Sequence, residues 1–185
     1  MRYAAFLLPL ALMACGDDIT RYAAPTVAAQ DSVRIDFRTL EVAEVGLPLY
    51  AASEEIWVET PEGALQSSPS LLWADDPARA VTLGLVRNLT EITGARVAPG
   101  PWPFEEFPDA RLEVQIEEMT ADLAGEFRIA GQYFVAAGPD VGADDADLFS
   151  LSMPMPTAPS AGDVAAARAA ALADLALLIA RDGLR

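Results

Sequence analysis

Between positions 111 and 135 apolar and polar side chains alternate. Leu112, Val114 and Ile116 stand against Glu113, Gln115 and Glu117, and Phe127, Ile129, Gly131, Tyr133 and Val135 repeat the pattern after a turn at Ala124-Gly125. A period of two puts successive side chains on opposite faces of an extended chain, so this stretch predicts two strands that each bury one face, the first running from Arg111 to Met119. The segment from Leu148 to Met153 predicts a third, with Phe149, Leu151 and Met153 inward, ended by Pro154 and Pro156, which have no N–H for a ladder. Together the three predict a meander.

Upstream, Val33, Ile35 and Phe37 alternate with Arg34, Asp36 and Arg38 and predict the first strand, followed by a connection over 41–49. Residues 54–60 predict a second strand. Pro61-Glu62-Gly63 has the residues of a tight turn and predicts that 64–71 returns as its antiparallel partner.

The period changes twice. From Asp76-Pro77 to Gly94, Val81, Leu85, Leu89 and Ile92 recur at spacings of four and three, the stripe of an amphipathic helix. Asp76 is placed to accept the free N–H groups of the first turn, Pro77 stands where no donor is needed, and Gly94 marks the stop. Ser160 and Asp163 have capping-box spacing ahead of a run of strong helix formers over 164–182 that ends at Gly183. Val164, Ala167, Ala171, Leu175 and Leu178 form its stripe, with small residues that allow close approach. The expected fold is α+β: a mostly antiparallel sheet of about five to six strands with two long helices packed on one face.

The N-terminus follows a different pattern. Arg2 is followed by an apolar run over 4–12 and then by Leu12-Met13-Ala14-Cys15, the arrangement of a bacterial lipoprotein signal with Cys15 as the acylated residue. The run reaches only about half of the ~20 residues a spanning helix needs. Residues 1–14 are therefore expected to be a cleaved signal peptide, 15–31 a lipidated N-terminus and flexible tether, and 32–185 the folded domain. The remainder after cleavage is large enough to bury most of its apolar surface as one domain. Cys15 is the one cysteine of the chain, so no disulfide supports the core.

All twelve basic residues are arginine and histidine is absent. A histidine base, a Schiff-base lysine, a serine triad and a histidine-ligated zinc site therefore all lack their parts. No catalytic residue, metal site or cofactor is expected beyond a covalent lipid on Cys15. The formal charge of −16 argues against nucleic acid as a partner, because an acidic body gains nothing from counterion release.

Several pieces recur in an order that carries a resemblance. They are the lipobox at Cys15, Leu47-Pro48-Leu49-Tyr50, Leu72-Trp73-Ala74 ahead of Asp76-Pro77, Leu85 and Leu89, the 97–102 segment with its Pro-Trp pair, Leu112-Glu113-Val114-Gln115-Ile116, and the terminal alanine-leucine helix. In that order the chain resembles the PqiC-like auxiliary lipoproteins of ABC-type and MCE-type lipid transport systems, also called membrane-integrity-associated transporter subunits. The resemblance implies a non-enzymatic subunit on the periplasmic face of the outer membrane that docks a tunnel-forming MCE-domain protein, with ring-like homo-oligomers as one assembly. Sorting to the inner membrane stays open, since aspartate directly after a lipidated cysteine marks retention there and here Asp17 stands one place later.

Candidate docking residues are aromatic. Trp102, Phe104 and Phe107 lie in a proline-bounded loop over 99–108 and read either as a docking surface or as a cap on the core beside the first helix. Trp57 reads as an interface residue or as one covered by the 47–52 connection. Asp140, Asp144, Asp145 and Asp147 form an acidic loop whose spacing matches no calcium-binding loop, and a solvated loop is the expected reading. Glu105-Glu106 and Glu117-Glu118 are adjacent acids that an extended chain would send to opposite faces. Two other functions stay open: a lipoprotein that binds an apolar ligand or assists outer-membrane assembly, and a carboxylate hydrolase, which would need two acids converging in a cleft.

Overall fold

The computed structural model describes residues 18–27, 31–139 and 141–185. Its elements are β1 (Thr20–Tyr22), β2 (Thr39–Val42), β3 (Glu55–Glu59), β4 (Leu65–Trp73), α1 (Pro77–Thr93), β5 (Arg96–Pro99), β6 (Ala110–Asp122), β7 (Glu126–Ala137), β8 (Asp145–Pro154) and α2 (Ala161–Asp182). Among the described residues no helix is long and apolar enough to cross a membrane.

Strand β6 organises the sheet. One of its edges carries β7 and then β8, both antiparallel, which is the expected meander. Its other edge is shared: β2 pairs parallel with its start at Ala110–Leu112, Gly46 bridges to Gln115, and β3 pairs parallel with Ala121 and Asp122. β5 adds parallel to β2, while β4 adds antiparallel to β3 and β1 parallel to β4. The sheet is therefore mixed, with eight strands and parallel pairing in four of its seven ladders. This corrects the expected mostly antiparallel sheet of five to six strands. The unexpected strands β1, β2 and β5 are three or four residues long, too short to show a period of two. The parallel pairings depend on where the chain crosses over, as it does through β3, β4 and α1 between β2 and β5, and alternation carries no information about that.

A second correction concerns the expected first strand. Val33 and Phe37 are buried and Arg34 and Asp36 exposed, as alternation predicts, yet residues 33–37 join no ladder. Their backbone donors go to helix ends: Val33 N–H donates to the Ile92 carbonyl at 2.8 Å and Asp36 N–H to the Leu184 carbonyl at 2.9 Å. Ile92 lies in the last turn of α1, whose carbonyls have no partner inside the helix, and Leu184 follows the cap of α2, so an extended neighbour that supplies donors satisfies both. The segment read as a tether also holds structure, since Thr20–Tyr22 form β1 and the Tyr22 carbonyl accepts Ala74 N–H.

Both helices begin and end where their caps predict. Asp76 accepts Arg79 N–H at 2.8 Å, and Gly94 takes the left-handed conformation (φ 68°) that closes α1. The capping box of α2 is complete, with Ser160 Oγ accepting Asp163 N–H and the Asp163 carboxylate accepting Ser160 N–H. Gly183 closes α2 with an ordinary negative φ, so a second demand explains the glycine: an added Cβ would stand 2.5 Å from the Tyr133 ring.

One core joins the layers. Val81, Leu85 and Leu89 of α1 and Leu175 and Ile179 of α2 pack with Leu112, Val114, Ile129 and Tyr133 of the sheet. The alternation of β6 changes phase at Glu117, where the β6–β7 register shifts by one residue. Leu112, Val114 and Ile116 point inward before the shift, and Met119 and Ala121 are buried after it. A β-bulge of this kind keeps both halves of a long strand facing one core.

Candidate functional site

The loop that joins β5 to β6 is held at both ends. Gly100 N–H donates to the Val42 carbonyl at 2.8 Å, and Asp109 Oδ2 accepts the N–H groups of Arg38 and Thr39 at 2.7 and 3.1 Å. Thr39 Oγ1 accepts Asp109 N–H at 2.8 Å in return. Between these anchors Trp102 Nε1 donates to the Glu106 carbonyl at 2.6 Å and ties the loop across its middle.

The aromatic side chains of this loop lie outside the core. Trp102 is half-buried and meets Phe104 edge to face, with ring centroids 4.9 Å apart at 67°. The Arg96 guanidinium stands 5.3 Å from the Phe104 centroid. Phe104 is 47% exposed and Phe107 96% exposed. The three rings, with Arg38, Arg96 and Glu105, line an open cleft of about 550 Å³. A phenylalanine held almost wholly in water by a pinned loop is an unused hydrophobic contact.

Trp57 stands elsewhere. Its Nε1 donates to Ser53 Oγ at 2.7 Å, and its ring borders a small void with Tyr50, Ala51 and Trp73, so the connection before β3 lies over it. β2 meets β6 at Ala110, whereas β3 meets it at Ala121, about 36 Å along the strand at ~3.3 Å per residue. The fold does not bring Trp57 together with Trp102, Phe104 and Phe107.

Cys15 and Asp140 lie outside the described residues. The other acids of the 138–147 loop serve separate local roles: Asp144 accepts Ala137 N–H, Asp145 accepts the Tyr133 hydroxyl at 3.4 Å, and Asp147 accepts the N–H of Leu148. Burial first, and then the charges of Asp145 and Asp147, push the Tyr133 hydroxyl up to about 12. Glu117, at the bulge, accepts Gln132 Nε2, while Glu118 accepts Arg128 Nε at 2.8 Å. Among the described residues no cluster of three or more potential ligands could hold a metal ion.

Two arginines went unremarked in the sequence. Arg128 ties Glu59 of β3 to Glu118 and Asp122 of β6. Arg168 of α2 is 3% exposed, and its Cζ lies 3.7 Å above the Trp73 ring. The readable signal was its position, four residues after Val164 and four before Leu172, where a charge interrupts the apolar stripe of α2.

A family model described as "ABC-type transport auxiliary lipoprotein component" matches residues 21–180. No curated protein sequence matches the chain. Among solved structures, one titled as an uncharacterized protein superposes with a TM-score of 0.72 at 20% identity, covering 90% of this chain and 99% of that one. A Xanthomonas campestris protein of the DUF330 family superposes at 0.65 with 20% identity, covering 89% and 96%. At these identities the two structures establish the shared fold.

Proposed function

Because the chain belongs to the family of ABC-type transport auxiliary lipoprotein components, we propose that it is the non-enzymatic accessory subunit of an intermembrane lipid transport system. It is anchored through a lipid on Cys15 to the periplasmic face of the outer membrane and docks a tunnel-forming MCE-domain protein. The observation that carries the docking reading is the exposed Phe107 beside Phe104 and Trp102 on a loop pinned by Asp109. Rigid aromatic anchors lose little conformational freedom when a partner covers them, and they supply much of the affinity in protein interfaces. The match over residues 21–180 supports the transport role, and the lipobox supports the anchor.

The test is co-purification of the detergent-solubilised lipoprotein with the MCE-domain protein of the same bacterium. Phe107→Ala is expected to weaken the complex by about 2 kcal/mol, roughly 30-fold, since truncation of an aromatic hot spot has that scale. With Trp102→Ala and Phe104→Ala added, no partner should be recovered. Phe107→Ala alone should leave the melting temperature unchanged, because it removes no core contact. Recovery of the partner at wild-type yield by the triple variant would reject this surface as the docking site, and failure of the wild type to recover any MCE-domain protein would reject the partner. We further propose assembly into a ring, supported by the outer edge of β8, which is ten residues long and carries no partner strand among the described residues. A monomer mass by light scattering of the same eluate would remove that part.

A further inference from the structure

Arg168 poses a problem that the docking proposal does not use. Its Nε and Nη1 atoms are buried and have no hydrogen-bond partner among the described residues. Burial pushes its guanidinium down to about 10, against the pull of Asp75. The Trp73 ring offers its electron-rich face to the cation, yet a ring face accepts nothing from the in-plane N–H groups. Buried donors in folded proteins almost always have acceptors, and an unpaired buried charge is among the most destabilising features a core can hold. The arrangement is explained if an acceptor arrives from outside the chain.

Arg168 borders both the small void beside Trp73 and a larger cleft through which that acceptor can come. The cleft, about 280 Å³, lies between residues 22–27 and the two helices. Besides Arg168, its charged lining is Arg87, which donates to Thr26 Oγ1 at 2.6 Å, and Asp75, whose carboxylate is already paired with Arg79. The rest is largely apolar, with Val27, Leu83 and Leu172 among its walls. Two arginines and one acid, itself shared with Arg79, line this place on a chain of net charge −16. The volume is several times the ~30 Å³ of a water molecule and near the lower end of ligand pockets, which suits a headgroup and a few carbons.

We propose that this cleft binds a single anionic group, carboxylate or phosphate, carried on a short apolar body, with Arg168 as the recognition residue. The planar guanidinium is suited to both anions because its N–H groups can meet two oxygens at once. The cleft shares no lining residue with the aromatic loop, so the inference stands apart from the docking proposal.

Isothermal titration of the wild-type protein with octanoate, octyl phosphate, inorganic phosphate and 1-octanol tests it. Octanoate and octyl phosphate are expected to bind, with phosphate and octanol at least tenfold weaker. Arg168→Met, which keeps the stem and removes the charge, should lower the affinity for both amphiphiles at least tenfold. Leu83→Glu places a like charge at the partly exposed rim without disturbing the core, and should lower it severalfold even if Arg168→Met does not fold. Absence of binding by both amphiphiles overturns the proposal, as does a water-satisfied Arg168 whose methionine variant binds no worse. Inorganic phosphate binding as tightly as octyl phosphate, or octanol as tightly as octanoate, would overturn it too, by showing an ion site or a plain apolar groove.

Discussion

Gly131→Ala is expected to lower the melting temperature by roughly 6–12 °C, from a loss of about 3 kcal/mol at the ~2–4 °C per kcal/mol typical of chains this long. Gly131 faces the core from the middle of β7, paired with Ile116 on one side and Phe149 on the other. A Cβ there would stand 2.1 Å from the Gln115 carbonyl oxygen and 3.0 Å from the Ile116 Cα. These are backbone atoms of the adjacent strand, next to the bulge that sets the register of β6, so they cannot turn aside as a flexible side chain would. The strands must separate instead, and this ladder is the longest of the sheet. Gly162→Ala is the control. Its Cβ would meet only Ser160 Oγ at 3.6 Å, and the melt should stay within about 0.5 kcal/mol of wild type. Circular dichroism melts of the two variants decide the matter. A Gly131→Ala protein that melts with the wild type would show that β6 and β7 do not approach each other in this register.

The same region shows which features the sequence made legible. The β6–β8 meander could be read because each strand runs ten residues or more with one face against the core. Even the bulge left a trace, since the inward apolar positions step by two to Ile116 and then by three to Met119. The helices were legible through their ends, where Asp76, Gly94, Ser160 and Asp163 each meet a backbone group that a helix leaves unpaired. Residues 33–37 show the limit of that reasoning. Alternation reports that an extended chain has one buried face and is silent about which carbonyls its N–H groups find; here they find the last turn of α1 and the residue after the cap of α2. The aromatic loop stood out because Trp102, Phe104 and Phe107 fit no period and are fenced by prolines. Whether rings in such a loop fold inward depends on long-range anchors such as Asp109 to Thr39, seventy residues apart, which no local pattern records.

Arg128→Ala should destabilise the protein by about 2–3 kcal/mol at neutral pH and low salt, more than the ~0–1 kcal/mol of an isolated surface pair, because one guanidinium serves several acids. Arg128 donates to Glu118 and Asp122 at 2.8 Å each and to Glu59, with Glu126 at 3.9 Å, and its side chain is 30% exposed. Its removal leaves four carboxylates facing one another at the corner where β3, β6 and β7 meet. The hydrogen bond to Glu118 is the largest of the contacts that hold the guanidinium above its ordinary value, so it is charged at every pH used here. Burial works to raise the Asp122 carboxyl, but the N–H groups of Glu126 and Gly125 and the charge of Arg128 outweigh it, and the net shift is downward. A depressed carboxylate stabilises the fold above its ordinary value of 3.8, and that contribution is lost as the pH falls through the lower, folded value. Without Arg128 the four acids repel, and protonation relieves them. The gap between wild type and variant should therefore be widest near pH 7 and should narrow as the pH falls toward 4. It should also narrow in about 0.5 M salt, which shortens the reach of the repulsion. Urea unfolding at the two pH values, with Arg128→Met to restore the stem, separates charge from packing. Equal gaps at both pH values would show that Arg128 acts through its methylenes, and that the acids around it are held apart by the backbone alone.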